Sequence, residues 1–283
     1  MKPIVILRYH DHFPVVAQRV EWLRQLNHGI TIHGMFGGKG SADEIVPLLD
    51  SNYKLTLDPF ISWLNLDLAV LEWYRAFGRQ LDYTHAYIVE WDLVYLRPLN
   101  EVLPVPEDGQ SLLTGYTDMS EIEDRWVWTA GDTHIGTAER YWRVLRSFVT
   151  KHYAHHPGFY HACLGPGTVL SRRFFDEYDR LRLPSWCHDE IRMPLIHQLA
   201  GLPVADNGLY PAHWYEPATV EWATRFNTER VEVTPEKVYE SYQQGYYAFH
   251  PVYQILDEAA CGLGVTALPG HSGRAGSAGP EGR

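Results

Sequence analysis

Residues 86–92 are Ala86-Tyr87-Ile88-Val89-Glu90-Trp91-Asp92, a hydrophobic run that leads directly into two acids. A run of this length and composition is typical of a strand that is buried on both faces of a sheet. Residues two apart on a strand point to the same side, so we expect Glu90 and Asp92 to project together from its carboxyl end. The alternative is a pair of solvated loop acids that follows a strand without further role.

The chain before this stretch alternates strands and helices. We predict strands at residues 4–7 and 30–36, with a helix between them that stops at Asn27-His28-Gly29, and a second helix at 66–77. Later strands are predicted at 112–116 and 169–170, and later helices at 138–153, 172–181 and 191–200. This order predicts an α/β fold whose sheet is mixed, mostly parallel and flanked by helices. Open sheets of this kind bind ligands at the carboxyl ends of their strands, where Glu90 and Asp92 lie.

The composition excludes several classes of protein. A chain of 283 residues with 45% hydrophobic residues can bury a large core. Its net charge of −11 argues against nucleic acid as a partner, because that binding is driven by clustered Lys and Arg. Three scattered cysteines fit neither a disulfide framework nor a zinc-thiolate site, and no apolar stretch reaches the length of a membrane span. We therefore expect a cytoplasmic protein without a membrane span.

With its two acids after a central strand, the sequence resembles the GT-A class of nucleotide-sugar glycosyltransferases. In that class an acid-x-acid motif holds a divalent cation and the donor diphosphate. Three further motifs follow in the expected order: Leu164-Gly165-Pro166-Gly167 resembles a glycine-rich loop on the acceptor side, His188-Asp189-Glu190 a later acidic motif at a helix start, and Phe249-His250-Pro251 a late histidine ligand. The resemblance covers most of residues 4–252.

The resemblance implies a single catalytic domain at residues 1–262. Its nucleotide-binding half would cover about 1–100 and its acceptor half about 101–262, in a Rossmann-like arrangement. Residues 263–283 are rich in Gly, Ser, Pro and Ala and are expected to form a disordered tail, because such a segment buries little apolar area.

The implied activity is hexosyl transfer from a nucleotide-diphosphate sugar to a saccharide or small-molecule acceptor, assisted by Mn²⁺ or Mg²⁺. Asp92 and His250 are implied as metal ligands. Glu90 stands where Asp is usual in the class, and it either binds the cation or orients its water. The bulky Trp91 either packs against the donor ribose or caps the strand end. The donor base and sugar, the acceptor and the oligomeric state are not defined by the sequence.

Asp189 and Glu190 are the candidate bases for the acceptor hydroxyl, because a carboxylate within hydrogen-bond reach can take its proton. Pro194 is tolerated in the first turn of a helix, so the helix is expected to start near residue 191 with both acids at its N-terminus. We prefer Asp189 as the base. The alternative is that both acids only stabilise the helix dipole.

Donor-binding candidates follow the first two strands, where a doubly wound sheet receives a nucleotide; the alternative is plain surface loop. They are Arg8, Tyr9, His10, Gly38 and Lys39. Gly165 and Gly167 lack side chains and would let the backbone approach a sugar, or else form an ordinary turn. Trp126 and Trp128 are weaker candidates for acceptor contacts.

Two other functions remain open from the sequence. A glycoside hydrolase could use paired carboxylates such as Asp92 and Asp189, without nucleotide or metal. A noncatalytic sugar-binding protein could keep the fold and lose the chemistry, as the Glu-Trp-Asp departure at residues 90–92 suggests.

Overall fold

A mixed sheet flanked by helices forms the centre of the computed structural model, which describes residues 2–104, 106–130, 132–133, 136–153, 160–210 and 232–263. The strands are β1 (Pro3–Tyr9), β2 (Thr31–Phe36), β3 (Ser51–Lys54), β4 (His85–Glu90), β5 (Val94–Tyr95), β6 (Ser111–Asp118), β7 (Asp132–Thr133), β8 (Gly136–Thr137), β9 (His161–Ser171), β10 (Val204–Asp206) and β11 (Ala248–Phe249). The helices are α1 (Phe13–Leu26), α2 (Pro59–Leu64), α3 (Leu66–Ala76), α4 (Leu99–Val102), α5 (Ala138–His152), α6 (Arg172–Tyr178), α7 (Asp189–Ala200) and α8 (Pro235–Gln243).

The main sheet has seven strands in the order β10-β6-β9-β4-β1-β2-β3 within the described part of the chain. β1 pairs in parallel with β2 and β4, β2 with β3, and β10 with β6. β9 alone runs against its neighbours, β4 and β6. The predicted fold class, a mixed and mostly parallel sheet flanked by helices, is confirmed by this order.

The two faces of the sheet are covered by different helices. Side chains of β1 alternate, so that Val5 and Leu7 pack with Val16 of α1, whereas Ile4 and Ile6 pack with α3, α6 and α7 on the other face. This alternation follows from the two-residue repeat of a strand. Because helices cover both faces, the carboxyl edge of the parallel strands is left as the place where polar side chains can meet.

Two predicted boundaries were wrong. α7 begins at Asp189, so Pro194 lies inside the helix and not in its first turn. Proline has no N–H for the carbonyl of Glu190, and that carbonyl lies 3.6 Å from the Cys163 thiol, which donates to it. β9 begins at His161, so the glycines of residues 164–167 lie inside a long strand and not in a turn before a short one.

The predicted halves of the domain contribute to one sheet, with β1 to β4 from the first half and β6, β9 and β10 from the second. The domain boundaries stay a prediction, and residues 264–283 of the expected tail lie outside the described residues. Among the residues that are described, no helix combines the length and the apolar character needed to cross a bilayer.

Candidate active site

The two acids of residues 90–92 lie at the carboxyl edge of the parallel strands. Glu90 is the last residue of β4, and it is paired in register with Arg8 near the end of β1. Arg8 Nη2 lies 3.3 Å from Glu90 Oε1. Asp92 is the second residue after the end of the strand and is buried. Parallel pairing therefore brings a guanidinium and two carboxylates to one place.

His250 reaches the same place through a small separate sheet. β5, just after Asp92, pairs antiparallel with β11, so that Val94 lies opposite Phe249. Two residues beyond His250, the Val252 N–H donates to the carbonyl of Asp92 at 2.8 Å. These contacts hold His250 Nε2 3.8 Å from Glu90 Oε2 and 3.7 Å from Asp92 Oδ2. One ligand atom from each of the three residues lies within 4.8 Å of the others.

The pKa values of the two acids shift in opposite directions because their neighbours differ. Burial raises the pKa of Glu90, but the Arg8 guanidinium and the His250 imidazole outweigh burial and lower it to about 2. Burial also raises the pKa of Asp92, and there the effect of His250 does not outweigh burial and the charge of Glu90. Asp92 Oδ1 is buried and has no hydrogen-bond partner among the residues that the structure describes. A buried carboxylate oxygen without a donor is an acceptor that a cation could satisfy, and the three residues fit a divalent metal ion.

A cavity of about 490 Å³ lies beside this cluster, and its lining includes five of the residues predicted to bind the donor: Arg8, Tyr9, His10, Gly38 and Lys39. Residues of α2 form another wall. Phe60 of α2 is 44% exposed, and its ring centroid lies 5.9 Å from that of Trp63. Arg8 joins the two regions, because its Nη1 donates to the Ser62 carbonyl at 3.4 Å while its Nη2 faces Glu90.

Tyr9 and Trp91 have different places from those expected. The Tyr9 ring is buried in the core and its hydroxyl donates to Asn52 Oδ1 at 2.9 Å. Trp91 is 6% exposed, with its ring stacked on His12 at 4.6 Å and on Tyr253 at 5.5 Å. The Trp91 ring is packed against protein, which corrects the expectation that it contacts the donor, whereas Tyr9 lines the cavity although its ring is buried. Trp91 closes the strand end, the other alternative considered above.

Gly38 is required by packing. A Cβ atom at this position would lie 1.9 Å from the carbonyl oxygen of His10. The loop after β2 is thereby held against the loop after β1, because the Gly37 N–H also donates to the Tyr9 carbonyl at 2.9 Å. Lys39 and His10 are exposed at this junction, where they could meet a ligand.

A second polar cluster surrounds the start of α7. The Trp128 ring stacks on His188 with their centroids 3.8 Å apart, and Trp128 Nε1 donates to Glu190 Oε2 at 2.8 Å. The Gly165 N–H donates to Glu190 Oε1 at 3.0 Å. Burial raises the pKa of Glu190 to about 7, although His188 and these donors oppose the rise.

Asp189 is an anchor between two helices. Its Oδ2 accepts the Leu66 N–H at the start of α3 at 2.6 Å, and its Oδ1 lies 2.7 Å from His188 Nδ1. Burial raises the pKa of Asp189, but His188 outweighs burial, so the pKa lies below its ordinary value. Because the Asp189 side chain is only 4% exposed and its Oδ2 holds the start of α3, whereas the Glu190 side chain is 13% exposed, the geometry favours Glu190 over Asp189 as a base.

Gly167 is also a packing residue. Its φ of +82° lies in the left-handed region, and a Cβ atom would lie 2.6 Å from Leu209 Cδ1. The Asn207 side chain donates to the Gly167 carbonyl at 2.9 Å and to Thr114 Oγ1 at 2.7 Å. The pairing of β6 with β9 shifts register here, so residues 164–167 form a bulge that brings Gly165 to Glu190.

Comparisons with known proteins give low similarity. The chain matches no protein-family model and no curated protein. Among solved structures, the galactosyltransferase LgtC in complex with donor and acceptor sugar analogues matches with a TM-score of 0.41 and 9% identity, over 73% of this chain and 74% of that one. An active-site mutant of LgtC matches with a TM-score of 0.35 and 10% identity, over 63% of this chain and 60% of that one. Similarity this low carries no argument about function, which therefore depends on the site itself.

A buried ion pair behind the second cluster was missed in the sequence. Arg192 of α7 pairs with Asp67 of α3 through two contacts, and Arg192 Nη1 donates to the Cys187 carbonyl at 3.0 Å. The Tyr178 hydroxyl donates to Asp67 Oδ2 at 2.6 Å. The signal was a single acid inside the apolar run of residues 66–71, since a charge at such a position is almost never buried without a partner.

Proposed function

We propose that this chain is a GT-A-like glycosyltransferase that moves a hexosyl group from a nucleotide-diphosphate sugar to a saccharide or small-molecule acceptor. One observation carries the proposal. Glu90, Asp92 and His250 face a common point at the carboxyl edge of parallel strands, within 4.8 Å of one another, beside a cavity of about 490 Å³. That edge is where sheets of this class bind nucleotides.

Asp92 and His250 would hold a divalent cation, and Glu90 would contribute its Oε2 or orient a bound water. A set of two carboxylates and one imidazole suits Mn²⁺ better than Mg²⁺, which prefers oxygen ligands alone. A cation there supplies positive charge that stabilises the nucleoside diphosphate as it leaves.

The donor would lie in the cavity between the loops after β1 and β2 and α2. His10, Lys39 and Arg8 place positive or hydrogen-bonding groups near the metal cluster, where the diphosphate is needed. Phe60 and Trp63 offer apolar surface for the nucleoside. This local supply of positive charge offsets the acidity of the chain as a whole, whose net charge is −11.

Glu190 is the base that we assign for the acceptor hydroxyl. A carboxylate whose pKa is raised to about 7 is a stronger base than an ordinary one and is still partly ionised near neutral pH. Trp128 and Gly165 orient its two oxygens by hydrogen bonds. Asp189 then acts by holding His188 and the start of α3 in place, not by proton transfer.

A thermal-shift screen tests the proposal. UDP, GDP, CDP and dTDP would each be added with and without Mn²⁺, and we expect one of them with Mn²⁺ to raise the melting temperature. At a hundred times its dissociation constant the ligand stabilises by about 2.7 kcal/mol, which corresponds to roughly 5–10 °C for a domain of this size. Asp92→Ala should abolish the shift, whereas Asp43→Ala, which removes an exposed loop acid, should keep it. No shift with any nucleotide, or an equal shift in Asp92→Ala, would contradict the proposal.

The two alternatives predict different outcomes. A hydrolase could use a pair such as Asp92 and Asp189, but Asp189 is buried and its Oδ2 accepts the Leu66 N–H, which argues against this pair. A noncatalytic sugar-binding protein would show the thermal shift without turnover. An enzyme would release nucleoside diphosphate from the matching nucleotide sugar, with water or a saccharide as acceptor. A noncatalytic sugar-binding protein would release none.

A further inference from the structure

A buried arginine lies behind the cluster of Glu90, Asp92 and His250. Arg19 belongs to α1 and is only 2% exposed. Arginine is almost never fully buried unless its charge is paired. Among the residues that the structure describes, Arg19 nevertheless forms no ion pair. Its hydrogen bonds go instead to main-chain carbonyls and to one amide side chain.

These hydrogen bonds reach the segment that follows His250, either directly or through Gln18. Arg19 Nη2 donates to the Gln254 carbonyl at 2.9 Å and to the Val252 carbonyl at 3.4 Å. Arg19 Nη1 donates to Gln18 Oε1 at 2.6 Å. Gln18 in turn exchanges two hydrogen bonds with the main chain of Leu256, at 2.7 and 3.0 Å. Two neighbouring side chains of α1 therefore fix the backbone from residue 252 to residue 256.

The fixed segment is continuous with the metal cluster. Val252 donates its N–H to the Asp92 carbonyl at 2.8 Å, and its own carbonyl accepts from Arg19. His250 lies between this contact and the pairing of Phe249 with Val94. A shift of Val252 would move His250 relative to Asp92, so the position of the imidazole depends on what holds Val252.

The charge of Arg19 and its hydrogen bonds should have opposite effects on cation binding at the cluster. Burial lowers the pKa of Arg19 to about 10, while the nearby charge of Asp92 raises it, so the two groups interact. A guanidinium close to Asp92 repels a divalent cation bound there. If charge alone mattered, removing Arg19 would strengthen cation binding. If position matters more, removing Arg19 would weaken it.

We propose that Arg19 is a positioning residue that holds His250 in line with Glu90 and Asp92 through the carbonyls of Val252 and Gln254. The inference rests on the proposed function, because it concerns the same metal site. Groups that hold metal ligands in place typically contribute 10- to 100-fold to metal affinity. We therefore expect a loss of roughly this size when the guanidinium is removed.

Titration of the full chain with Mn²⁺, followed by the electron paramagnetic resonance signal of free Mn²⁺, tests the inference. Arg19→Met removes the guanidinium, and Arg19→Lys keeps the charge but loses the fork that reaches two carbonyls. Arg24→Met is a matched control on the same helix, because Arg24 also donates to a main-chain carbonyl, that of Leu48, but far from the cluster. We expect a Mn²⁺ dissociation constant about 10 to 100 times higher in Arg19→Met, an intermediate one in Arg19→Lys, and the wild-type value in the control.

The other outcomes are equally decisive. An unchanged dissociation constant in both Arg19 variants would overturn the inference and leave Arg19 a stabilising residue only. Tighter binding in Arg19→Met with wild-type binding in Arg19→Lys would also overturn it, since charge alone would then explain the effect. Should Arg19→Met fail to fold, Arg19→Lys decides between these outcomes. A wild-type chain that binds no Mn²⁺ would instead contradict the proposed function.

Discussion

Replacing Glu190 with Gln should change how the stability of the protein depends on pH. The pKa of this buried carboxyl is raised to about 7 from its ordinary value of 4.5, chiefly by burial. At about 1.4 kcal/mol for each pKa unit, this rise in pKa corresponds to about 3 kcal/mol. The folded state binds the Glu190 proton more tightly than the unfolded state. Its contribution to stability is therefore fully present below pH 4.5 and is lost as the pH rises through about 7.

Other groups titrate in the same range and must be separated from Glu190. Burial lowers the pKa of His33, His85, His161 and His197, so these side chains favour folding more as the pH rises. In the wild type the effect of these histidines opposes that of Glu190. The histidines contribute equally to the stability of the wild type and of Glu190→Gln. The informative quantity is therefore the difference between the two proteins in free energy of unfolding. His188, whose pKa is raised by its two acidic neighbours against burial, changes that difference in the same direction as Glu190.

Urea unfolding followed by tryptophan fluorescence, at intervals from pH 5 to pH 8, measures this difference. We expect the wild type to lose up to about 3 kcal/mol relative to Glu190→Gln across the range. Glu21→Gln, which removes an exposed carboxylate from α1, controls for the change in net charge. A difference that stays constant with pH, or that grows in favour of the wild type, would refute the assignment of a raised pKa to Glu190.

Two further predictions concern the packing that supports the site. Gly167→Ala should destabilise by about 2–5 kcal/mol in urea unfolding, from left-handed strain plus the contact with Leu209. Gly208 also has a positive φ, but an added Cβ would meet no atom of the described residues within 4 Å, so Gly208→Ala should cost only the strain. Equal losses in the two variants would contradict the packing argument. Arg192→Met should destabilise by about 3–5 kcal/mol, because it leaves Asp67 buried without its partner. Adding Asp67→Leu should recover most of that loss, and failure to recover would show that the pair is not the cause.

The sheet could be predicted in part because its parallel strands carry a local signal. The apolar runs at residues 4–7 and 86–89 are strands in the structure, and the amphipathic helices between them lie where their spacing placed them. The direction of β9 could not be predicted, since a strand's partner depends on contacts with β4 and β6 that are far away in sequence. The short strands β5 and β11 were missed for a different reason, because two residues are too few to show a strand pattern.

The site was predictable where a residue acts through its own position on a strand, and not where it acts through a distant neighbour. Glu90 and Asp92 are examples of the first kind, because they lie at the end of β4. Their proximity to His250 depends on the folded structure. Asp189 is an example of the second kind. From the sequence, Asp189 was expected to be a base at the start of a helix. In the structure its carboxylate accepts a hydrogen bond from the N–H of Leu66, more than a hundred residues away.

Glu90 departs from the aspartate that is usual in the GT-A motif, and its partner on the neighbouring strand gives a physical reason. Because β1 and β4 are parallel and in register, Arg8 lies directly beside Glu90. The longer glutamate side chain has one oxygen 3.3 Å from Arg8 and the other 3.8 Å from His250, so it spans the two groups. Arg8 then compensates the charge of Glu90, and Asp92 is left as the carboxylate that gains most from a cation. The opposite directions of their pKa values agree with this division. Of the two roles considered for Glu90, the contact with Arg8 therefore favours orientation of the cation's water over direct binding of the cation.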